Sequence, residues 1–149
     1  MNPHFLRAAR TTDAGKVGSI LSASIDETEW MCRIHSRAED IGFAGDLIDR
    51  GWVTVVEDAC HVTGFVARDE ITIQALYVTA GARRQGIGSA LLRHAQTQRD
   101  TLTLWVFQNN TAAQAFYVAH GFVAVEQTDG SGNDARLPDI RFEWKRESA

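Results

Sequence analysis

At 149 residues, 44% of them hydrophobic and 23% charged, the chain has the length and composition of one globular domain with its own core, and neither a disordered nor a collagen-like balance. Its 15 Lys and Arg against 19 Asp and Glu give a net charge of −4, which argues against nonspecific binding to nucleic acid or an anionic membrane. The longest purely apolar run, residues 115–119, falls far short of the ~20 that span a bilayer, and the N-terminal residues lack the pattern of a secretion signal. Cys32 and Cys60 are the only cysteines and make neither a disulfide framework nor a zinc spacing, so a cytoplasmic protein without a metal is expected.

Residues 4–9 read as a short strand, and Thr12 or Asp13 offers an N-cap to a helix through about Ser22, with Val17, Ile20 and Leu21 on one face. Residues 26–50 are less regular, and Gly42 and Gly45 suggest two short helical pieces, closed by Gly51 as a left-handed cap. Residues 52–57, 62–67 and 71–78 are rich in β-branched and aromatic side chains between turn signals, which predicts an antiparallel meander. A loop over 79–85 leads to a helix over 86–99, where Ile87, Leu91, Leu92 and Ala95 recur at helical spacing. Residues 102–107 are apolar on both faces, as in a strand covered from both sides. Asn109 or Asn110 can cap a helix over 111–120 that Gly121 ends, and strands over 123–127 and 140–145 flank a polar loop. Helices interleaved with seven strands predict an α/β or α+β domain with a three-layer core.

One segment departs from the overall acidity: residues 79–99 hold four Arg and no acid. Arg83, Arg84, Gln85, Gly86, Ile87, Gly88 and Ser89 stand where a strand has ended and a helix begins. First-turn N–H groups have no intrahelical acceptor, and the macrodipole places about half a positive charge there. Glycines at 86 and 88 let a phosphate approach those groups, so the segment reads as a diphosphate cradle. Gly81 and Gly86 have P-loop spacing, but Ile87 and Gly88 occupy the positions of its Lys and Ser or Thr. The dinucleotide fingerprint lacks its third Gly, where Leu91 stands.

The pattern Gln or Arg, any two residues, Gly, any residue, Gly or Ala is met by Arg83, Gly86 and Gly88 directly after Leu76, Tyr77 and Val78. A later segment holds Asn110, Ala113, Phe116, Tyr117, Gly121 and Phe122. In both, the chain resembles the GNAT superfamily, the Gcn5-related N-acetyltransferases, over about residues 4–145. The resemblance implies one domain with a mixed, mainly antiparallel seven-stranded sheet and four main helices. It implies direct transfer of an acetyl group from acetyl-CoA to a small-molecule or peptide amine, without metal, in a protein that pairs as a homodimer. The backbone of Leu76, Tyr77 and Val78 would hold the pantetheine arm, the segment from Arg83 to Ser89 the diphosphate, and Asn110 the cofactor near the arm. Tyr117 stands where the family keeps a tyrosine that protonates the leaving thiolate.

An alkylamine with a pKa near 10.4 is neutral about once in a few thousand molecules at pH 7, so a base or a water relay must take its proton. The family's strand glutamate falls on Thr72 and the glutamate of related N-terminal acetyltransferases on Trp105, leaving Glu70 through water as the base, with His35, Glu39 and Asp139 as alternatives. The rival expectations are a noncatalytic acyl-CoA-binding module, which the missing glutamate favours, and an interaction domain with a vestigial cradle.

Overall fold

The computed structural model describes residues 5–83 and 85–147, so His4 and Arg84 lie outside the described residues. The elements are β1 (Phe5–Ala8), α1 (Ala14–Asp26), α2 (Arg37–Asp49), β2 (Val53–Asp58), β3 (His61–Asp69), β4 (Thr72–Val78), α3 (Ile87–Gln98), β5 (Thr101–Phe107), α4 (Thr111–Ala119), β6 (Val123–Thr128) and β7 (Asp139–Lys145). The seven strands form one sheet in the order β1-β2-β3-β4-β5-β7-β6, and among the described residues only β4 and β5 run parallel. A parallel pair needs a crossover, which α3 supplies. On one face α1 and α2 bury Val17, Ile20, Ala44 and Leu47 against Val55 and Phe65. On the other, Leu91 and Leu92 of α3 and Tyr117 of α4 pack with Leu102, Leu104, Phe122 and Phe142. This is the expected mixed sheet between helical layers.

A short 3-10 turn, Thr11–Asp13, leads into α1, and Asp13 joins it to β1. Its carboxylate accepts from both terminal nitrogens of Arg7, at 2.8 and 3.1 Å, and from the Arg10 N–H at 2.7 Å. The Arg7 hydrogen bonds hold the Asp13 carboxyl below its ordinary range, against burial that would raise it. A carboxyl whose pKa is lower folded than unfolded binds more protons in the unfolded chain. Its stabilisation is therefore complete above the unfolded value near 3.9 and is lost as pH falls through the folded value. Thermal melts should show Tm falling below about pH 4, with a shallower fall in Arg7→Met. Equal slopes in the two proteins would rule out this pair as the cause.

Two differences from the sequence reading bear on the site. Residues 37–49 form one helix, and the irregular stretch is upstream, at residues 27–36. Ser36 caps α2 by accepting from the Glu39 N–H at 3.1 Å while the Glu39 carboxylate accepts from the Ser36 N–H at 2.9 Å. That capping box and the burial of Ala44, Leu47 and Ile48 outweigh about 1 kcal/mol of helix propensity lost at each of Gly42 and Gly45. The second difference is β5, which is fully buried on one face and only partly covered on the other. Leu102, Leu104 and Val106 are buried, while Trp105 on the other face is 47% exposed.

Gly18 sets how closely α1 approaches α2. A Cβ there would lie 2.5 Å from Ile41 Cα, and backbone cannot yield as a flexible side chain does. Gly18→Ala should gain about 1 kcal/mol of helix propensity and lose about 1–3 kcal/mol to overpacking, a net destabilisation measurable as a lower urea midpoint.

Residues 27–36 are fastened by Arg33. Its guanidinium donates to the Ser22 carbonyl (2.9 Å) and hydroxyl (2.8 Å), to Asp26 (2.7 Å) and to buried Asp40 (2.9 Å). Trp30 packs edge-on against Phe107, with ring centroids 5.7 Å apart. The segment is thus anchored both to the helices and to β5.

Candidate active site

The parallel strands part almost at once. β4 and β5 are paired at Thr72 and Thr103, where the Thr103 N–H donates to the Ile71 carbonyl at 2.7 Å, and no pairing between them is found beyond that point among the described residues. The antiparallel register of β4 with β3 slips where Ala67 pairs with Ala75 but Arg68 with Ile73, leaving Gln74 as the extra residue of a bulge. The Thr79 N–H donates to the Thr63 carbonyl at 2.9 Å, which sets the phase of the strand after the bulge. Ala75 and Tyr77 direct their backbone groups to β3, and Leu76 and Val78 direct theirs into the gap beside β5. Of the three residues expected to offer backbone to a pantetheine arm, the structure brings Leu76 and Val78 to the open edge. Tyr77 instead contributes its side chain.

At the end of this edge lies a hollow of about 300 Å³ lined by Val78, Ala82, Arg83, Gly86, Ile87, Gly88, Ser89 and Phe116. Gly86 caps α3 in the left-handed region, at φ 77°. The helix ladder starts with the Ala90 N–H donating to the Gly86 carbonyl at 3.0 Å, so the amides of Ile87 and Gly88 precede it and have no acceptor within the helix. A Cβ at Gly88 would stand 3.5 Å from Phe116 Cζ and fill space in this hollow. Two bare helix-start amides, a left-handed glycine and a small floor fit a diphosphate. The Ile87 side chain is buried and belongs to the core, so only its backbone serves the hollow. Gln85 is exposed in the loop. Arg83 is engaged otherwise than expected: it forms an ion pair with Glu27 at 2.7 Å and donates from Nε to the Val78 carbonyl at 3.3 Å.

Tyr117 lines the cleft that opens between the strands, with Leu76, Tyr77, Val106, Phe107 and Asn110 around it. It is 9% exposed, and burial, with a smaller contribution from Tyr77, pushes its phenol above the ordinary value. Among the described residues its hydroxyl has no hydrogen-bond partner. The Asn110 side chain is occupied as the cap of α4, accepting from the Ala113 N–H at 3.1 Å. Tyr77 and Phe107 line both this cleft and a hollow of about 660 Å³ under α1, α2 and the 128–139 loop, where Ile34, His35, Phe43, Asp46 and Asp134 are also found. Trp105 and Phe107, on the partly covered face of β5, line a further hollow beside that loop.

Glu70 is not brought to the site. It sits in the turn between β3 and β4 at φ 49°, its side chain 80% exposed and paired with Arg99. Seven residues of strand, about 20 Å, separate it from Tyr77. The antiparallel return to β4 puts that turn at the closed end of the gap. Glu39 is held by Ser36 below the ordinary carboxylate range and pairs with His35 at 3.6 Å. Asp139 is buried and accepts from Thr128 and from Asn133. Among the described residues no carboxylate or imidazole lines the cleft around Tyr117. The Tyr77 side chain and His120, which lies behind Ser89, were not picked out by sequence. Alternation along β4 would have pointed to Tyr77, whereas His120 carries no signal of its own.

The profile of the acetyltransferase (GNAT) domain family matches residues 38–124. The chain belongs to the GNAT acetyltransferase family. It is thus an acetyl-CoA-dependent acetyltransferase, and the matched part of this GNAT domain contains β4, the hollow at Gly86, the cleft and Tyr117. Residues 27–36 and the 128–139 loop, which wall the neighbouring hollows, fall outside it. The chain is 32% identical over 119 residues to the peptidyl-lysine N-acetyltransferase YjaB of Salmonella typhimurium, covering 78% of this chain and 81% of that protein. The solution structure of apo YjaB from Escherichia coli has the same fold, with a TM-score of 0.80, 20% identity and coverage of 98% and 100%. So does yncA from Salmonella typhimurium, a structure with acetyl-CoA, with a TM-score of 0.74, 18% identity and coverage of 99% and 96%.

Proposed function

We propose that this GNAT domain transfers an acetyl group from acetyl-CoA directly to the side-chain amine of a lysine in a peptide, with Tyr117 as the proton donor. The observation that carries the proposal is the unpartnered Tyr117 hydroxyl in a cleft with the anion hollow at one end and the hollow beside Tyr77 and Phe107 at the other. Peptide acceptors are favoured by the open groove on the partly covered face of β5 and by the activity named for the Salmonella relative.

In this reading the amides of Ile87 and Gly88 hold the diphosphate. The backbone groups of Leu76 and Val78 that face the gap pair with the pantetheine arm as an added strand would, with Arg83 yielding the Val78 carbonyl. Backbone N–H groups at the parting of β4 and β5 face the charge that develops on the carbonyl oxygen during attack. The amine lone pair forms the C–N bond as the C–S bond breaks. Tyr117 gives its proton to the sulfur, and the proton released by the nitrogen passes through groove water and restores the phenol. Before attack the lysine ammonium loses its first proton to groove water and so to solvent, the step for which Glu70 was expected as the base.

Release of CoA should be followed with acetyl-CoA and a panel of a lysine peptide, the same peptide with lysine replaced by norleucine, free lysine and a polyamine. Turnover on the lysine peptide well above the others is the expected result. Binding of acetyl-CoA with no turnover on any amine would instead make the domain a noncatalytic acyl-CoA binder.

A further inference from the structure

His120 follows the last turn of α4, its ring centroid 4.5 Å from that of Phe116 with the two planes tilted at 45°. Its Nδ1 lies 2.8 Å from the Phe116 carbonyl and its Nε2 lies 3.1 Å from the Ser89 hydroxyl. A carbonyl oxygen only accepts, so in the neutral ring Nδ1 carries the hydrogen and Nε2 is left as an acceptor. The Ser89 hydroxyl then spends its only hydrogen on Nε2. Only lone pairs remain to face the hollow that Ser89 lines, and lone pairs repel an anion.

Protonation of the ring reverses this arrangement. Nε2 becomes a donor to Ser89 Oγ, the hydroxyl hydrogen is free to turn into the hollow, and a positive charge stands one hydroxyl away. We infer that His120 is a positioning residue for the donor site, whose proton sets Ser89 to receive a diphosphate and makes donor affinity proton-linked. The inference rests on the reading of the hollow as the diphosphate site.

The surroundings of His120 leave the counter-charge to the ligand. From α3 it is met by Ser89 and by Gln96, whose amide donates to the His120 carbonyl at 3.0 Å. The other charged or titratable side chains of α3 are Arg93 and His94, and α4 carries none apart from Tyr117. Burial, and then Arg68, favour the neutral form of His94. The only imidazole paired with a carboxylate among the described residues is His35. An anion in the hollow therefore supplies what the imidazolium lacks, and proton and anion raise each other's affinity by one shared factor.

The test is equilibrium binding of 3′-dephospho-CoA, which lacks the terminal phosphate that itself titrates in this range, by calorimetry at about pH 5.5 and about pH 7.5, the range over which histidine acts as a switch. The wild type should bind about tenfold more tightly at the lower pH, the worth of one charge-assisted hydrogen bond. His120→Gln, whose amide supplies an N–H at either pH, should bind equally at both. The NMR titration midpoint of the His120 ring should move upward when the ligand is bound. Equal wild-type affinity at both pH values, or a His120→Gln variant that keeps the wild-type dependence, overturns the inference and leaves the donor site standing. A wild type that binds at neither pH overturns the donor-site reading as well.

Discussion

Tyr117→Phe should lower kcat by about a hundredfold or more, the usual worth of a positioned general acid, while leaving acetyl-CoA affinity unchanged. The stability of the variant separates this outcome from simple damage. The hydroxyl has no hydrogen-bond partner among the described residues, so its removal breaks no bond within the protein and Tm should stay level. Burial raises the phenol above its ordinary value, so it remains protonated throughout the neutral range and no activity is lost there through its ionisation. A phenol near 10 is a weaker acid than a thiol near 8.5, and desolvation in the same cleft raises the proton affinity of both anions, so the transfer is completed by the proton that the nitrogen returns to the phenolate. Steady-state kinetics in which kcat is unchanged, with chemistry shown to limit the rate, would remove Tyr117 from the mechanism.

Gly86→Glu should weaken acetyl-CoA binding by more than about a hundredfold, which corresponds to roughly 3 kcal/mol. Two effects add. Gly86 lies at φ 77°, where a Cβ costs about 1–2 kcal/mol, and the new carboxylate would stand beside the diphosphate at a helix start that favours anions. Gly86→Ala carries the backbone strain without the charge, so it should lose only a modest part of the affinity. Calorimetry of both variants divides the two contributions. Undiminished binding by Gly86→Glu would place the diphosphate elsewhere.

The hollow at the start of α3, proposed above as the donor half of the site, was legible because it is local in the chain. Strand, glycine-bearing loop and helix start follow one another within β4 and α3, and the amides that face the hollow belong to consecutive residues. The cap on α4 was equally legible, since Asn110 reaches an N–H three residues on. The hollow beside Tyr77 and Phe107, proposed for the acceptor, was not. His35, Phe107 and Asp134 share one hollow but are far apart in sequence, and no periodicity links them. Ser36 and Glu39 did carry a readable signal for the start of α2, which the two glycines obscured.

Side-chain employment was also out of reach. Arg83 has the motif position of a cofactor contact, but its ion pair with Glu27 depends on the far end of α1 lying beside the loop. Glu70 is close to β4 in sequence, but the direction of the strand carries it to the closed end of the gap.

From sequence alone came the family, the order of strands and helices, and the glycine-bearing helix start, because hydrophobic period, capping chemistry and backbone freedom act between near neighbours. The tertiary structure decided where β4 and β5 part, which backbone groups of Leu76 and Val78 the bulge at Gln74 leaves open, and that His120 stands behind Ser89. These depend on register and packing between distant segments, and a slip of one residue on a strand exchanges the faces its neighbours see.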